Sequence, residues 1–224
     1  MLPAASPMTN GACPLCTARR VRHHCRDRER SFLRCDDCGL VFVPSSQFLS
    51  REDEKRRYDL HQNSPDNEGY RRFLQRMFIH LQECLAPGSA GLDFGSGPEP
   101  LLARMFRAAG HSMAIFDHFY GPDPAPLEGR YDFITATEVV EHLREPKREL
   151  EQLWACLKPG GVLGVMTRPV VGLDEFPTWY YKNDRTHVCF FSPETFHWLA
   201  AAWDASVTFP ESDIVLFWKK PFGC

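Results

Sequence analysis

The chain has 224 residues, of which 43% are hydrophobic and 25% charged, enough for one ordinary α/β unit plus a small appendage with a real core. A formal net charge of −3 argues against whole-surface attraction to nucleic acid, and no apolar run approaches the ~18 residues that span a bilayer. The first residues, "MLPAASPMTN", lack the basic flank and apolar centre of a signal peptide, so the expectation is a soluble, cytoplasmic protein with no membrane partner.

Residues 1–48 hold two Cys-x-x-Cys pairs, Cys13–Cys16 and Cys35–Cys38, with 18 residues between them. Thiolate pairs at that spacing close a tetrahedron around Zn²⁺, and a closed four-thiolate site leaves no position for water. The predicted role is therefore structural. The total of nine cysteines is odd, which speaks against a disulfide framework. Between the pairs stand Arg19, Arg20, Arg22, Arg26, Arg28, Arg30 and Arg34 against only Asp27 and Glu29. This run reads either as a solvated hairpin or as contact with an anionic partner such as RNA, and the solvated reading is favoured.

Residues 49–87 are polar and helix-prone. "SREDEKRRYDL" opens with Ser50 as N-cap and an acidic first turn. "GYRRFLQRMFIHLQECL" places Phe73, Met77 or Phe78, Leu81 and Leu85 at helical spacing before Pro87-Gly88. "HQNSPDNEG" between them is a loop by composition.

Residues 88–224 alternate short apolar runs with helical patterns, the mark of a mostly parallel α/β sheet. "AGLDF" is a strand and "EPLLARMFRAAG" a helix, with its start placed near Pro98 or Glu99 and its end at Gly110. "SMAIF" and "YDFITAT" are the next strands. Only 14 residues, 118–131, separate them, so one repeating unit is lost or shortened. A helix follows over about 146–157, then the turn "KPGG" and the strand "VLGVMT". "SPETFHWLAAA" is a helix with Ser192 as N-cap and Pro193 at its first position. "ASVTF" and "DIVLFWKK", joined by a short turn, make an antiparallel pair.

"LDFGSGPEP" keeps Gly95 and Gly97, but a dinucleotide fingerprint's third glycine would fall at Pro100. Hydride chemistry is thereby disfavoured, and without Gly-Lys-Ser/Thr there is no Walker loop. Taken with the acid at Asp117, "YDFITATEVVEHL" and "LKPGGVLGVMT", the chain resembles the class I S-adenosylmethionine-dependent methyltransferases, and within them the small branch with an N-terminal zinc ribbon. The resemblance implies a Rossmann-like methyltransferase sheet over 88–224, with a zinc ribbon at 1–48 and a helical lid or connector at 49–87.

That resemblance also assigns site residues. It implies that Asp93 and the Gly95-Ser96-Gly97 turn hold the methionine end of the cofactor and that Asp117 accepts the ribose hydroxyls. Thr137 and Glu138, ending "TATE", are implied beside the reactive methyl. The lid would bring Tyr58, His61 and an arginine to the cofactor, with Arg71 or Arg72 paired to its carboxylate. No acid matches the usual adenine ligand. Asp123 is the nearest candidate, so apolar and backbone contacts are expected there.

Methyl transfer needs alignment, and a base where the acceptor carries a proton. His142, four residues after Glu138, is one candidate, against a structural histidine. "WYYKNDRTHVCFF" brings Tyr180, Tyr181, Asp184 and His187, with Asp184 placed to orient His187, against an aromatic cover for the sheet edge. Cys84, Cys156 and Cys189 are read as buried thiols. The absence of an "NPPY" signature argues against amino-group base methylation. The expected function is methyl transfer to a small molecule, RNA or protein. The rival is an inactive methyltransferase fold that docks RNA or protein through its zinc ribbon.

Overall fold

The computed structural model describes residues 11–60, 67–170 and 172–221. His61 lies outside these described residues.

The N-terminal ribbon is antiparallel: β1 (Val21–Arg26), β2 (Ser31–Cys35) and β3 (Val41–Phe42). Two turns of helix follow as α1 (Arg51–Tyr58), capped by the Ser50 side chain on the Asp53 amide as its sequence predicts. α2 (Glu68–Gln82) is capped by Asn67. The α/β unit then runs β4 (Ala90–Phe94), α3 (Leu101–Ala108), β5 (Ser112–Phe116), β6 (Tyr131–Thr137), α4 (Pro146–Cys156) and β7 (Leu157–Met166). It closes with β8 (Cys189–Phe190), α5 (Pro193–Ala202), β9 (Ser206–Glu211) and β10 (Ile214–Trp218). Ser192 and Thr195 form the capping box that opens α5.

The main sheet has the order β5-β4-β6-β7-β10-β9. Its first four strands are parallel, and β10 runs antiparallel to both β7 and β9. A single 3-10 turn, Ala125–Glu128, joins β5 to β6, so the shortened unit foreseen in the sequence leaves β5 at the edge.

Four features differ from the sequence reading. First, "KPGG" is not a turn before a strand but a bulge inside β7. Leu157 pairs with Tyr131 and Val162 with Phe133, so Lys158–Gly161 loop out opposite Asp132. Gly160 has φ 78°, and Lys158 Nζ meets Asp132 at 2.9 Å. Second, α3 starts at Leu101, so Pro98 and Glu99 lie in the preceding turn and Pro100 is the N-cap. Third, the segment after β7 contains a strand: β8 pairs with β3, Val41 opposite Phe190 and Phe42 opposite Cys189. The ribbon is thus a four-stranded sheet completed by the α/β unit. Cys13, Cys35, Cys38, Phe32 and Val43 share one core with Phe190, Phe196 and Leu199. Fourth, Cys84 is exposed at the end of α2 instead of buried, while Cys156 and Cys189 are buried as expected.

Of the two helices in 49–87, α2 is a core element. Leu74, Met77 and Leu81 pack with Leu101, Phe106, Phe133 and Met166. Burying each such side chain contributes about 1.5–3 kcal/mol. A Cβ on Gly164 of β7 would lie 2.8 Å from the Met77 sulfur, so helix and sheet meet without room to spare. Among the described residues of 49–87, α1 and the start of α2 reach the cavity through Glu54, Tyr58, Tyr70 and Phe73.

Candidate active site

At the carboxyl ends of β4, β5 and β6 lies a cavity of about 500 Å³. That is the usual place for a ligand in an open parallel sheet. Its floor is the Gly95-Ser96-Gly97 turn, its sides are Asp117, Thr137 and Glu138, and its roof is Tyr58 and Glu54 of α1.

The glycines do separate work. Gly95 has φ 75°, and a Cβ there would fall 2.3 Å from Val139 Cγ2. Gly97 has φ 65° but nothing within 4 Å of its missing Cβ, which leaves space for a ligand. Asp117 ties the turn to the next strand. One carboxylate oxygen accepts from Gly97 N at 2.9 Å, and the other from Phe119 N at 2.8 Å and Tyr120 N at 3.0 Å. A carboxylate has about four acceptor positions, so capacity remains on the cavity side. The Thr137 hydroxyl oxygen is buried with no hydrogen-bond partner among the described residues. Such an atom at a cavity wall is a place for a ligand's polar group.

Asp93 stands behind the turn, 4% exposed, and is not part of the cavity lining. It accepts from the Thr135 hydroxyl at 2.7 Å and from the backbone of Ala103 in the first turn of α3. Burial pushes its carboxyl up to about 6. It therefore anchors the helix start, where Pro100 offers no side-chain cap.

Glu138 is the reverse case, a polar group inside the site. It holds φ 53°, and its N–H bonds Met166 O at 2.7 Å. Burial, then the neighbouring Glu141 charge, pushes its carboxyl up to about 8. The Tyr181 hydroxyl lies 2.5 Å from Glu141 Oε1 and 3.4 Å from Glu138 Oε2. Glu141, 1% exposed, also accepts from Thr167 Oγ1 at 3.0 Å, and burial raises its pKa. Tyr181 is thereby a buried brace between carboxylates. It does not line the cavity, contrary to its expected catalytic place.

A pH-dependent stability difference follows. The Glu138 carboxyl titrates near 8 when folded, against an ordinary 4.5, so folding costs progressively more as pH rises between these values. Glu138→Gln removes the ionisation and is expected to stabilise the fold by up to about 4–5 kcal/mol at pH 9, with little effect near pH 5. Urea unfolding at both pH values checks this, and an equal effect at both would contradict it.

His142 and His187 meet with ring centroids 4.7 Å apart, and both line the cavity. His187 Nδ1 donates to Tyr181 O at 2.7 Å, and His142 Nδ1 to Thr186 O at 3.2 Å. A carbonyl only accepts, so each ring carries its proton on Nδ1. Burial, then the charge of His142, pushes His187 down to about 4, which keeps it a neutral acceptor at physiological pH. Asp184 lines the cavity but does not orient His187. Its Oδ1 accepts from Thr186 N and Oγ1, and despite burial these bonds hold its pKa low. The backbone carbonyl of Tyr181 takes the orienting role.

Tyr58 roofs the site, 5.5 Å from Phe119 and 5.2 Å from His142 by ring centroids, and burial raises its pKa. Arg71 and Arg72 are exposed and lie outside the lining. The arginines present are Arg51 and Arg144. Arg144 bonds Glu54 at 2.5 Å and Leu49 O at 2.6 Å, while Arg51 lies 3.5 Å from Glu54. The sequence reading missed all three. Glu54 and Tyr58 at i and i+4 on an otherwise polar helix were the available signal.

The second candidate centre lies in the ribbon. The sulfurs of Cys13, Cys16, Cys35 and Cys38 all lie within 4.8 Å of one another, with Cys13–Cys38 at 3.6 Å and Cys16–Cys35 at 3.4 Å. A tetrahedral Zn–S₄ centre needs sulfurs about 3.8 Å apart, so the donor set fits. Gly39 turns the second knuckle at φ 76°, where a Cβ would strike the Glu194 carboxylate at 2.6 Å. Much of the arginine run is engaged: Arg20 with Asp37, Arg22 with Asp36, and Arg34 with Glu194 at 2.9 Å. No helix among the described residues is long and apolar enough to cross a membrane.

A family model described as a methyltransferase domain matches residues 60–208. No curated protein matches the chain. Among solved structures, one similar fold is the 1,6-didemethyltoxoflavin-N1-methyltransferase of Burkholderia thailandensis, solved with 1,6-didemethyltoxoflavin and S-adenosylhomocysteine. It is 14% identical with a TM-score of 0.56, over 88% of this chain and 99% of that one. Another is an O-methyltransferase family protein from the same organism, 13% identical with a TM-score of 0.51, over 76% of this chain and 64% of that one.

Proposed function

Since the chain belongs to the methyltransferase-domain family, we propose that it is an S-adenosylmethionine-dependent methyltransferase carrying a structural zinc in its ribbon. One observation carries the cofactor reading. The Gly95–Gly97 turn, the Asp117 carboxylate and the unpartnered Thr137 hydroxyl converge on a single cavity. The cofactor supplies a sulfonium-bound methyl group for in-line displacement.

The chain's own residues do the rest. Gly97 leaves room for the aminoacyl end, and Asp117 offers its spare acceptor positions to the ribose hydroxyls. Phe94 and Phe119 line the wall and offer adenine apolar faces. α1 excludes water from above through Tyr58 and the Glu54–Arg144 pair. On the acceptor side His187, held neutral by burial, and His142 beside it, each with Nδ1 committed to a carbonyl, are placed to take a proton from the attacking group. The acceptor itself is not named by this geometry. The pairing of Arg20, Arg22 and Arg34 with acids lessens the free positive charge that face would offer to RNA.

The test is calorimetry with S-adenosylhomocysteine. The wild-type chain should bind it, and Asp117→Ala should bind about tenfold or more weakly, because a charged hydrogen-bond acceptor is lost. A wild-type chain that shows no heat at millimolar ligand would sink the enzyme reading.

A further inference from the structure

Arg30 sits at the tip of the β1–β2 hairpin, far in sequence from the cavity, yet it is 2% exposed. Its guanidinium forms no ion pair among the described residues. Nη1 donates to His187 O at 2.9 Å and Nη2 donates to Lys182 O. Its plane also lies over Phe32, 5.2 Å from the ring centroid. Burial lowers its pKa, which shows that the charge is held at a cost. A charge buried merely to fill space is poorly placed, since an apolar side chain fills the same space without desolvation.

Its two carbonyls bracket one short loop, residues 182–187. Neighbouring ribbon side chains grip the same loop: Asp27 approaches Lys182 Nζ at 3.6 Å and Glu29 meets Arg185 at 3.1 Å. Within the loop Asp184 and His187 face the cavity. On its far side Val188 bonds Glu141 O at 2.8 Å and Val43 N bonds Val188 O at 2.9 Å. Besides the bonds within residues 181–187, this loop is held by the ribbon and by the turn after β6, where Glu141 O meets Val188 N and His142 Nδ1 meets Thr186 O.

We infer that Arg30 is a positioning residue: from the ribbon it clamps the carbonyls of Lys182 and His187, and so fixes the loop that carries Asp184 and His187 over the acceptor side of the cavity. This rests on the methyl-transfer reading of that cavity. A planar fork reaches two carbonyls at once, whereas lysine offers a single point of contact. The ribbon is in this way part of the active-site wall and not an appendage.

The experiment uses the full-length, zinc-loaded chain and Arg30→Met. Three quantities are measured: zinc content, S-adenosylhomocysteine affinity by calorimetry, and the His187 titration by NMR. Zinc should stay bound, and cofactor-product affinity should hold within about twofold, since Gly95–Asp117 is remote from the clamp. The His187 midpoint, about 4 in the wild type, should rise by one unit or more toward 6.5 as the loop loosens and the ring meets water. Around that ring stand His142, Glu141, Asp184 and the Tyr181 ring at 4.2 Å, none of which the substitution alters. A folded variant with an unmoved midpoint overturns the inference. Should Arg30→Met not fold, Arg30→Lys replaces it and is expected to shift the midpoint by less. If the lysine variant also loses zinc and melts early, Arg30 serves the fold alone and the assignment falls. A wild-type chain that binds no S-adenosylhomocysteine, with a midpoint that still moves in the variant, would remove the enzyme reading and leave the clamp standing.

Discussion

Stripping the metal from the ribbon is expected to lower the melting temperature of the whole chain by more than ~10 °C, in a single transition. The four sulfurs are mutually adjacent, and removing their ion leaves thiols that crowd one another. The effect should not stay local. β3 pairs with β8, Phe32 contacts Phe176 and Phe190, and the cysteines share their core with α5. Zinc-finger peptides gain about 10–16 kcal/mol from their metal, and a domain of this size shifts by about 2–4 °C per kcal/mol, so even a fraction of that gain is visible. The purified chain should carry about one zinc, and Cys35→Ser should reproduce the chelator's effect. A melting temperature that ignores chelation, or a separate low-temperature ribbon transition, would refute the shared-core argument.

Gly95→Ala is expected to cost about 2–5 kcal/mol, summing ~1–2 for an L-residue in left-handed backbone and ~1–3 for overpacking. Both penalties are visible at this position, with φ 75° and a Cβ 2.3 Å from Val139 Cγ2. The loop must move to relieve the overlap, and S-adenosylhomocysteine binding should go with it. Gly97→Ala is the internal control. It shares the left-handed backbone but has open space, so only the conformational part applies. Combining Gly95→Ala with Val139→Ala should recover the overpacking part and nothing else. Thermal melts of the three variants decide it; a Gly95→Ala chain as stable as Gly97→Ala would refute the overpacking.

The strands and caps were legible because they are local. Ser50 and Ser192 cap where they stand, and "AGLDF", "SMAIF" and "YDFITAT" form strands over the residues expected. The short link after Phe116 likewise foretold a missing unit, since chain length alone forbids it. What escaped depends on partners distant in sequence. The strand at 189–190 has no pattern of its own and exists because β3 needs a neighbour. Arg72 fits a carboxylate clamp by composition, but α2 turns that face to solvent and spends its buried face on the sheet. Asp93 resembles a cofactor ligand by position, yet Thr135 and α3 take it up. Asp184 beside His187 in sequence suggested a pair, whereas the turn gives Asp184 to Thr186.

The pairing of Val41 with Phe190 also sets an order of assembly. The two Cys-x-x-Cys knuckles are complete once Cys38 has been made, so they can close early during synthesis. The sheet they belong to cannot, because its last strand emerges only after the whole β4–β7 core. Until then one edge of β3 stays open, together with the apolar face formed by Phe32 and Phe42. The nascent chain therefore carries a pre-set docking edge at its start, and the arrival of Cys189 and Phe190 both seals that edge and seats His187 beside the cavity.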